Sequence, residues 1–277
     1  MDYREIAPAP ALRPYVRCYW TLAAVATSAA PTQRVLPDGC VEMVVNLGDP
    51  FLRHDTEGGT ELQPRLLLVG PTTRHMSIAP TGCIRLIGVR FAPGGALPFM
   101  SVAPREVRDV APSLDDVAQP FDADLVERLA EAVPGAEASI LDEALGRKLS
   151  RARRVTDRRV RLAVQATLAA DLPLRVDALI SSTGLGTRQI ERAFRDDVGF
   201  GPKTLCRLVR FQRVVRAIEH RNRPGWAALA ANFGYADQSH LAREFRELAG
   251  TTLTAYVTEL HPMSDHFHSA VGLGSDR

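Results

Sequence analysis

The chain has 277 residues, of which 45% are hydrophobic and 24% charged, a composition that suits two globular domains and excludes disordered and fibrous classes. No apolar run approaches the roughly 20 residues that span a bilayer, and Met1-Asp2-Tyr3-Arg4-Glu5 does not open a signal peptide. The net charge of +2 hides an uneven division: residues 1–150 carry 14 Lys and Arg against 19 Asp and Glu, a net of −5, and residues 151–277 carry 20 against 13, a net of +7.

Residues 1–110 are rich in Pro and Gly and broken into short apolar runs at Val16 to Leu22, Cys40 to Leu47, Arg65 to Val69 and Ile84 to Phe91. β-branched content and partial alternation predict strands there, with Pro37-Asp38-Gly39 and Pro93-Gly94-Gly95 as turns. Short strands without intervening helices predict an antiparallel barrel or sandwich. Asp38, Glu42, Arg90 and Tyr19 or Trp20 could line an effector pocket; the preferred reading is that Asp38-Gly39 makes a turn and Arg90 pairs with a nearby acid, so no effector residues are assigned. Cys18, Cys40, Cys83 and Cys206 are widely spaced and form no C-x-x-C pair, so reduced thiols in the cytoplasm are expected, with no metal site.

From about residue 114 the pattern becomes helical. Leu125, Leu129 and Val133, then Ile140, Leu141, Ala144, Leu145 and Leu149, predict two amphipathic helices broken at Pro134-Gly135, which either cap the barrel or form a dimer contact. The short basic stretch 151–157 reads as a linker.

The remainder carries one pattern twice. Gly184-Leu185-Gly186 leads to Phe194-Arg195-Asp196-Asp197-Val198-Gly199, and Gly234-Tyr235-Ala236 leads to Phe245-Arg246-Glu247-Leu248-Ala249-Gly250. The turn glycines are 50 apart and the closing glycines 51 apart, so the second copy has one extra residue just after its turn. Each copy predicts a short helix, a glycine turn and an amphipathic helix, the helix-turn-helix pattern. In the first, Thr187 is the predicted N-cap. Ile190, Phe194 and Val198 point inward, leaving Arg188, Gln189, Arg192 and Arg195 outward. In the second, Asp237 caps, Leu241, Phe245 and Leu248 point inward, and Gln238, Ser239, His240 and Arg243 point outward, with a half-buried place at the turn the alternative for His240. Arg and Gln pair with guanine and adenine edges, and both also hold phosphate. Pro202 to His220 predicts a single linking helix about 28 Å long, compatible with major-groove segments about 34 Å apart.

Residues from about 158 to 260 resemble the C-terminal domain of the AraC/XylS family of bacterial transcription regulators. The resemblance is carried by Gly199-Phe200-Gly201-Pro202 with Arg207, Arg210 and Arg213 after it, by Phe233 to His240, and by Phe245 to Gly250. Leu253 stands where the family usually has Pro, which bears on the start of the last helix. The regions Leu36 to Glu42 and Gly88 to Gly95 resemble an uncharacterised β-rich domain often found before such modules, with a cupin-like barrel implied.

The expected architecture is therefore α+β: an antiparallel β-barrel with flanking helices over 1–150, a linker over 151–157, an all-α domain with two helix-turn-helix units over 158–262, and a flexible tail over 263–277. The resemblance implies a DNA-contacting set of Thr187, Arg188, Gln189, Arg192, Arg195, Arg210, Asp237, Gln238, Ser239, His240 and Arg243. Its partner is double-stranded promoter DNA, with RNA polymerase, a second copy of the chain and a small-molecule effector as further candidates, and neither cofactor nor membrane. An enzyme carrying a DNA-binding module is the alternative. It is disfavoured by a first half with only His54 and His75 and no Cys cluster for zinc.

Overall fold

The computed structural model describes residues 2–25, 32–54, 59–118, 121, 124–170, 176–220 and 225–259. Among the described residues nine strands come first: β1 (Asp2–Ile6), β2 (Val16–Val25), β3 (Gln33–Val35), β4 (Glu42–Asn46), β5 (Phe51–His54), β6 (Thr60–Leu62), β7 (Leu66–Val69), β8 (Met76–Pro80) and β9 (Cys83–Phe91). They form two antiparallel sheets, ordered β1-β2-β9-β4-β7 and β3-β8-β5-β6. The strands pair in two separate sheets and do not close into a single barrel. The four predicted apolar runs are β2, β4, β7 and β9, which pair in the larger sheet.

Alternation along these strands divides two faces. Tyr19, Met43, Val45, Ile87, Val89 and Phe91 lie on one, within a core completed by helices. Trp20, Leu22, Val44, Leu67 and Leu86 lie on the other, with Phe51 and Ile78 of the smaller sheet. The helices on the first face are α1 (Leu114–Val117), α2 (Leu125–Glu131) and α3 (Glu137–Arg151). Leu125, Leu129, Leu141, Ala144 and Leu145 are buried there, each large side chain contributing about 1.5–3 kcal/mol. Their stripe caps the sheet, as the first of the two expectations had it. Val133 is not part of it: it lies between α2 and α3, 70% exposed.

Seven helices follow among the described residues: α4 (Arg158–Ala169), α5 (Val176–Ser182), α6 (Thr187–Asp197), α7 (Pro202–His220), α8 (Trp226–Asn232), α9 (Gln238–Ala249) and α10 (Leu253–Glu259). The apolar stripe of α7, with Leu205, Leu208, Phe211 and Val215 all fully buried, gathers Ile190 and Phe194 of α6 and Leu241 and Phe245 of α9 into one core. Both helix-turn-helix units are therefore packed on the helix that links them. Without the family's Pro, α10 still starts at Leu253, because the Thr252 hydroxyl accepts from the Ala255 N–H at 3.1 Å and supplies the capping bond. The tail predicted over 263–277 lies outside the described residues.

Candidate nucleic-acid interface

The two reading helices begin differently. The N-cap of α6 is Gly186, not Thr187, which is the first helical residue. Gln189 reaches back so that its Oε1 accepts from the Gly186 N–H at 3.2 Å, a bond that needs no side chain at the cap and leaves the Thr187 hydroxyl outward. Asp237 does cap α9, its Oδ1 accepting from the His240 N–H at 2.7 Å. The cap positions Gly186 and Asp237 are 51 apart and the turn glycines 50 apart. The extra residue therefore sits in the second turn. Gly184 and Gly234 hold φ of +66° and +72°, a region that side chains rarely adopt.

Thr187, Arg188, Gln189, Arg192 and Arg195 are all exposed on α6, opposite the fully buried Ile190 and Phe194. Arg195 only meets Glu191, at 3.4 Å across one exposed turn. On α9, Gln238, Ser239 and Arg243 are exposed opposite Leu241 and Phe245. His240 takes its half-buried alternative. Its Nδ1 accepts from the Ala236 N–H at 3.3 Å and its ring meets Tyr235 edge-on. This bond places the proton on Nε2.

Arg210 is engaged within the protein. Its Nη2 lies 2.8 and 2.7 Å from Oε1 and Oε2 of Glu244, and its guanidinium stacks 4.3 Å from the Tyr235 ring. Arg207 Nε donates to the same carboxylate at 3.0 Å. Burial acts to lower the Arg210 pKa, and the bonds and charge of Glu244 outweigh it, holding it above its ordinary value. The charge of Arg210 is thus committed to a clamp between α7 and α9. Sequence reading overlooked Glu244, although a carboxylate three residues after Leu241 and four before Leu248 stands on an apolar face. Arg213 is buried and donates to the Ala170 carbonyl. Burial, then the charges of Arg17 and Arg213, pushes Arg216 down to about 10. The arginine row drifts around α7, as a three-residue spacing requires.

The sheet domain grips this reader at equivalent points of its two units. The closing glycines Gly199 and Gly250 hold φ of +98° and +67°. A Cβ on Gly199 would lie 2.6 Å from Pro71 Cγ, and one on Gly250 would overlap the His75 ring. The His75 N–H donates to the Leu248 carbonyl at 3.0 Å. A single loop, Pro71 to His75, therefore touches the C-terminal ends of both reading helices. A second loop meets α7: Gln212, fully buried, donates from Nε2 to the Pro37 carbonyl at 2.8 Å, and Gly39 sits under Phe200. The linker is fastened as well, with the buried Thr156 hydroxyl donating to the Gly94 carbonyl and the Asp157 N–H to Asp197 Oδ2 at 2.8 Å.

Behind the smaller sheet's inner face lies a chamber lined by Asp38, Glu42, Arg90 and Trp20. Tyr19 faces the helices, its hydroxyl donating to Asp142 at 2.7 Å. The preferred reading holds for the contacts: Asp38 Oδ1 accepts from the Cys40 N–H at 2.8 Å in a turn and Arg90 pairs with Glu42, and the same groups line a cavity.

Two helix-turn-helix units with exposed Arg- and Gln-bearing faces, joined by one rigid helix, define a DNA-binding module of a transcription regulator. Residues 179–259 match the family described as a helix-turn-helix domain, and residues 4–112 match a domain of unknown function, DUF6597. The helical half is an AraC-type DNA-binding domain, set behind that uncharacterised β-rich domain. No curated protein matches the chain. Among solved structures, one of ToxT from Vibrio cholerae is 11% identical with a TM-score of 0.49, covering 87% of this chain and 98% of that one. Another, of ToxT with an unsaturated fatty acid bound, is 11% identical with a TM-score of 0.45, covering 87% and 95%. A likeness at this level carries no argument about what the present chain binds.

Proposed function

We propose that the protein is a sequence-specific transcription regulator of the AraC/XylS type, in which α6 and α9 enter successive major-groove segments of promoter DNA. One observation carries this reading: two equivalent helices expose Arg and Gln on the face opposite a shared core, and α7 fixes their separation. Arg188, Gln189 and Arg192 on α6, and Gln238, Ser239 and Arg243 on α9, are the base- or phosphate-contacting groups, with Thr187 and His240 beside them. Asp237 positions α9 by capping it, and Arg210 positions it through Glu244. The surplus of +7 over residues 151–277 supplies the sequence-independent attraction. The sheet domain, 1–150, is the regulatory half and receives a small-molecule effector; chemistry on a substrate plays no part in this reading. Genomic selection of bound fragments supplies the operator. In gel shifts on that fragment, Arg188→Ala and Arg243→Ala should each weaken binding about 5- to 100-fold, the equivalent of about 1–3 kcal/mol per lost base contact, with unchanged melting temperature. Unaltered affinity in both variants would remove these faces from the interface.

A further inference from the structure

The chamber between the sheets has apolar walls, including Val44, Phe51, Leu67 and Ile78, and a polar end made by Arg90, Glu42 and Asp38. It encloses about 70 Å³, room for about five waters or half a dozen non-hydrogen ligand atoms. Two donors there have no hydrogen-bond partner: Nη1 of Arg90 and the indole Nε1 of Trp20, each in a side chain of a residue 3% exposed. The indole lies over Gly88, where a Cβ would overlap it, so a bare stretch of β9 makes its place. Buried donors lacking acceptors are costly, and the chamber offers an acceptor both a place and two N–H groups.

The charges at the polar end decide what class of acceptor fits. Arg90 is already paired with Glu42, and Glu5 Oε1 lies 3.6 Å from its Nη1, with Asp38 sharing the lining. One guanidinium among three carboxylates repels an added anion, and a cation drawn to those carboxylates would leave both N–H donors without an acceptor. A neutral oxygen can accept from such a donor and adds no charge.

The walls that hold such a ligand are the loops that hold the DNA reader. Leu36, Asp38 and Cys40 line the chamber, while Pro37 and Gly39 between them meet Gln212 and Phe200. Thr72 and Met76 line it, while Pro71 and His75 meet the closing glycines of the two reading units. We propose that the chamber is the effector site, that it takes a small neutral molecule with an apolar body and one carbonyl or hydroxyl oxygen, and that its filling is passed to the DNA reader through these two loops. This rests on the sheet domain being the regulatory half.

The full-length chain has two tryptophans, Trp20 and Trp226, so nitrogen-15 labelling gives one indole signal in the chamber and one in α8. Cyclopentanone and cyclopentanol are the probes, with cyclopentanecarboxylate and cyclopentylammonium as charged counterparts of the same ring. The ketone or alcohol should shift the Trp20 signal saturably and leave Trp226 unmoved, with the ions at least tenfold weaker. Val44→Phe, which fills the chamber, should abolish the shift; should it fail to fold, Leu67→Met takes its place and weakens binding. At saturation, amide exchange should slow at least threefold in residues 36–40 and 71–76 and in the adjoining ends of α7 and α9. Absence of any saturable shift with the neutral probes, leaving water as the occupant, overturns the site, and preference for the carboxylate overturns the ligand class. Slowed exchange confined to the strands overturns the transmission. Because no DNA enters the measurement, its failure leaves the gel-shift test of the reading faces intact.

Discussion

The two helix-turn-helix units share one sequence pattern and are held in different ways. The first rests mainly on apolar packing: Phe194 and Ile190 fill the core, Gly186 caps α6 without a side chain, its outer arginines are exposed with one weak pairing to Glu191, and its polar ties are at the C-terminal end, from the Asp157 N–H to Asp197 and from Arg105 to Asp196. The second adds a buried carboxylate that takes two arginines from α7, a side-chain cap from Asp237 and a backbone bond to the sheet domain. A repeated pattern thus fixes the position of the reading helices, and the residues between its landmarks set how firmly each is fastened. The first unit is the freer reader and the second is the anchored one.

The largest effect should come from the shared element. Phe194→Ala and Phe245→Ala, both at fully buried positions, should each cost about 3–5 kcal/mol, measured by urea unfolding. A large inequality would mean that the common core does not support both units alike. Next comes the difference. Glu244→Gln takes the counter-charge from Arg210 and leaves Arg207 with Glu247 only, and should cost about 2 kcal/mol. That is less than for a fully buried pair, since both arginines keep access to water. Glu191→Gln in the first unit should change stability by less than about 0.5 kcal/mol. Equal costs would erase the distinction between a clamped and an unclamped helix.

A smaller step separates the two kinds of glycine. Gly184→Ala meets open space and only a positive φ, which should cost about 1 kcal/mol. Gly250→Ala has the same φ and the His75 ring in the way, so its cost should be larger and should loosen the sheet domain, seen as faster amide exchange in Pro71 to His75. The smallest effect is pH-dependent. Burial, then the charges of Arg34 and Arg74, lowers the His75 pKa below 6.5. The docked state therefore binds its proton less readily than the unfolded one. The contribution of His75 is full above pH 6.5 and is lost as pH falls through that value. The melting temperature of the wild type should drop between pH 7.5 and 5.5 by more than that of His75→Gln.

Much of the reader was legible because glycine turns and amphipathic stripes are local signals: Gly184, Gly234, Asp237, the inward faces of α6 and α9 and the span of α7 all stand out in the sequence. Four of the five strands of the larger sheet were evident for the same reason, their apolar runs being long. The strands β1, β3, β5, β6 and β8 were not, since β3 and β6 have only three residues and β6 is wholly exposed. The clamp on Arg210 was not legible because its partner lies 34 residues away, and an arginine on a helix surface looks the same in sequence whether or not it meets a buried glutamate. The grip of Pro71 to His75 on both closing glycines was invisible for the same reason: it joins segments far apart in the chain that carry no shared pattern.

The fastened linker has a consequence for how such proteins can be recombined. Between the end of α3 at Arg151 and the anchored Thr156 stand four residues, spanning at most about 14 Å. With Thr156 bound to Gly94 and Asp157 to Asp197, the junction behaves as a joinery fitting, cut to one pair of faces. A hybrid that grafts another sensor onto this reader has to bring across residues 92–95 along with residues 156–157, or the mortise arrives without its tenon.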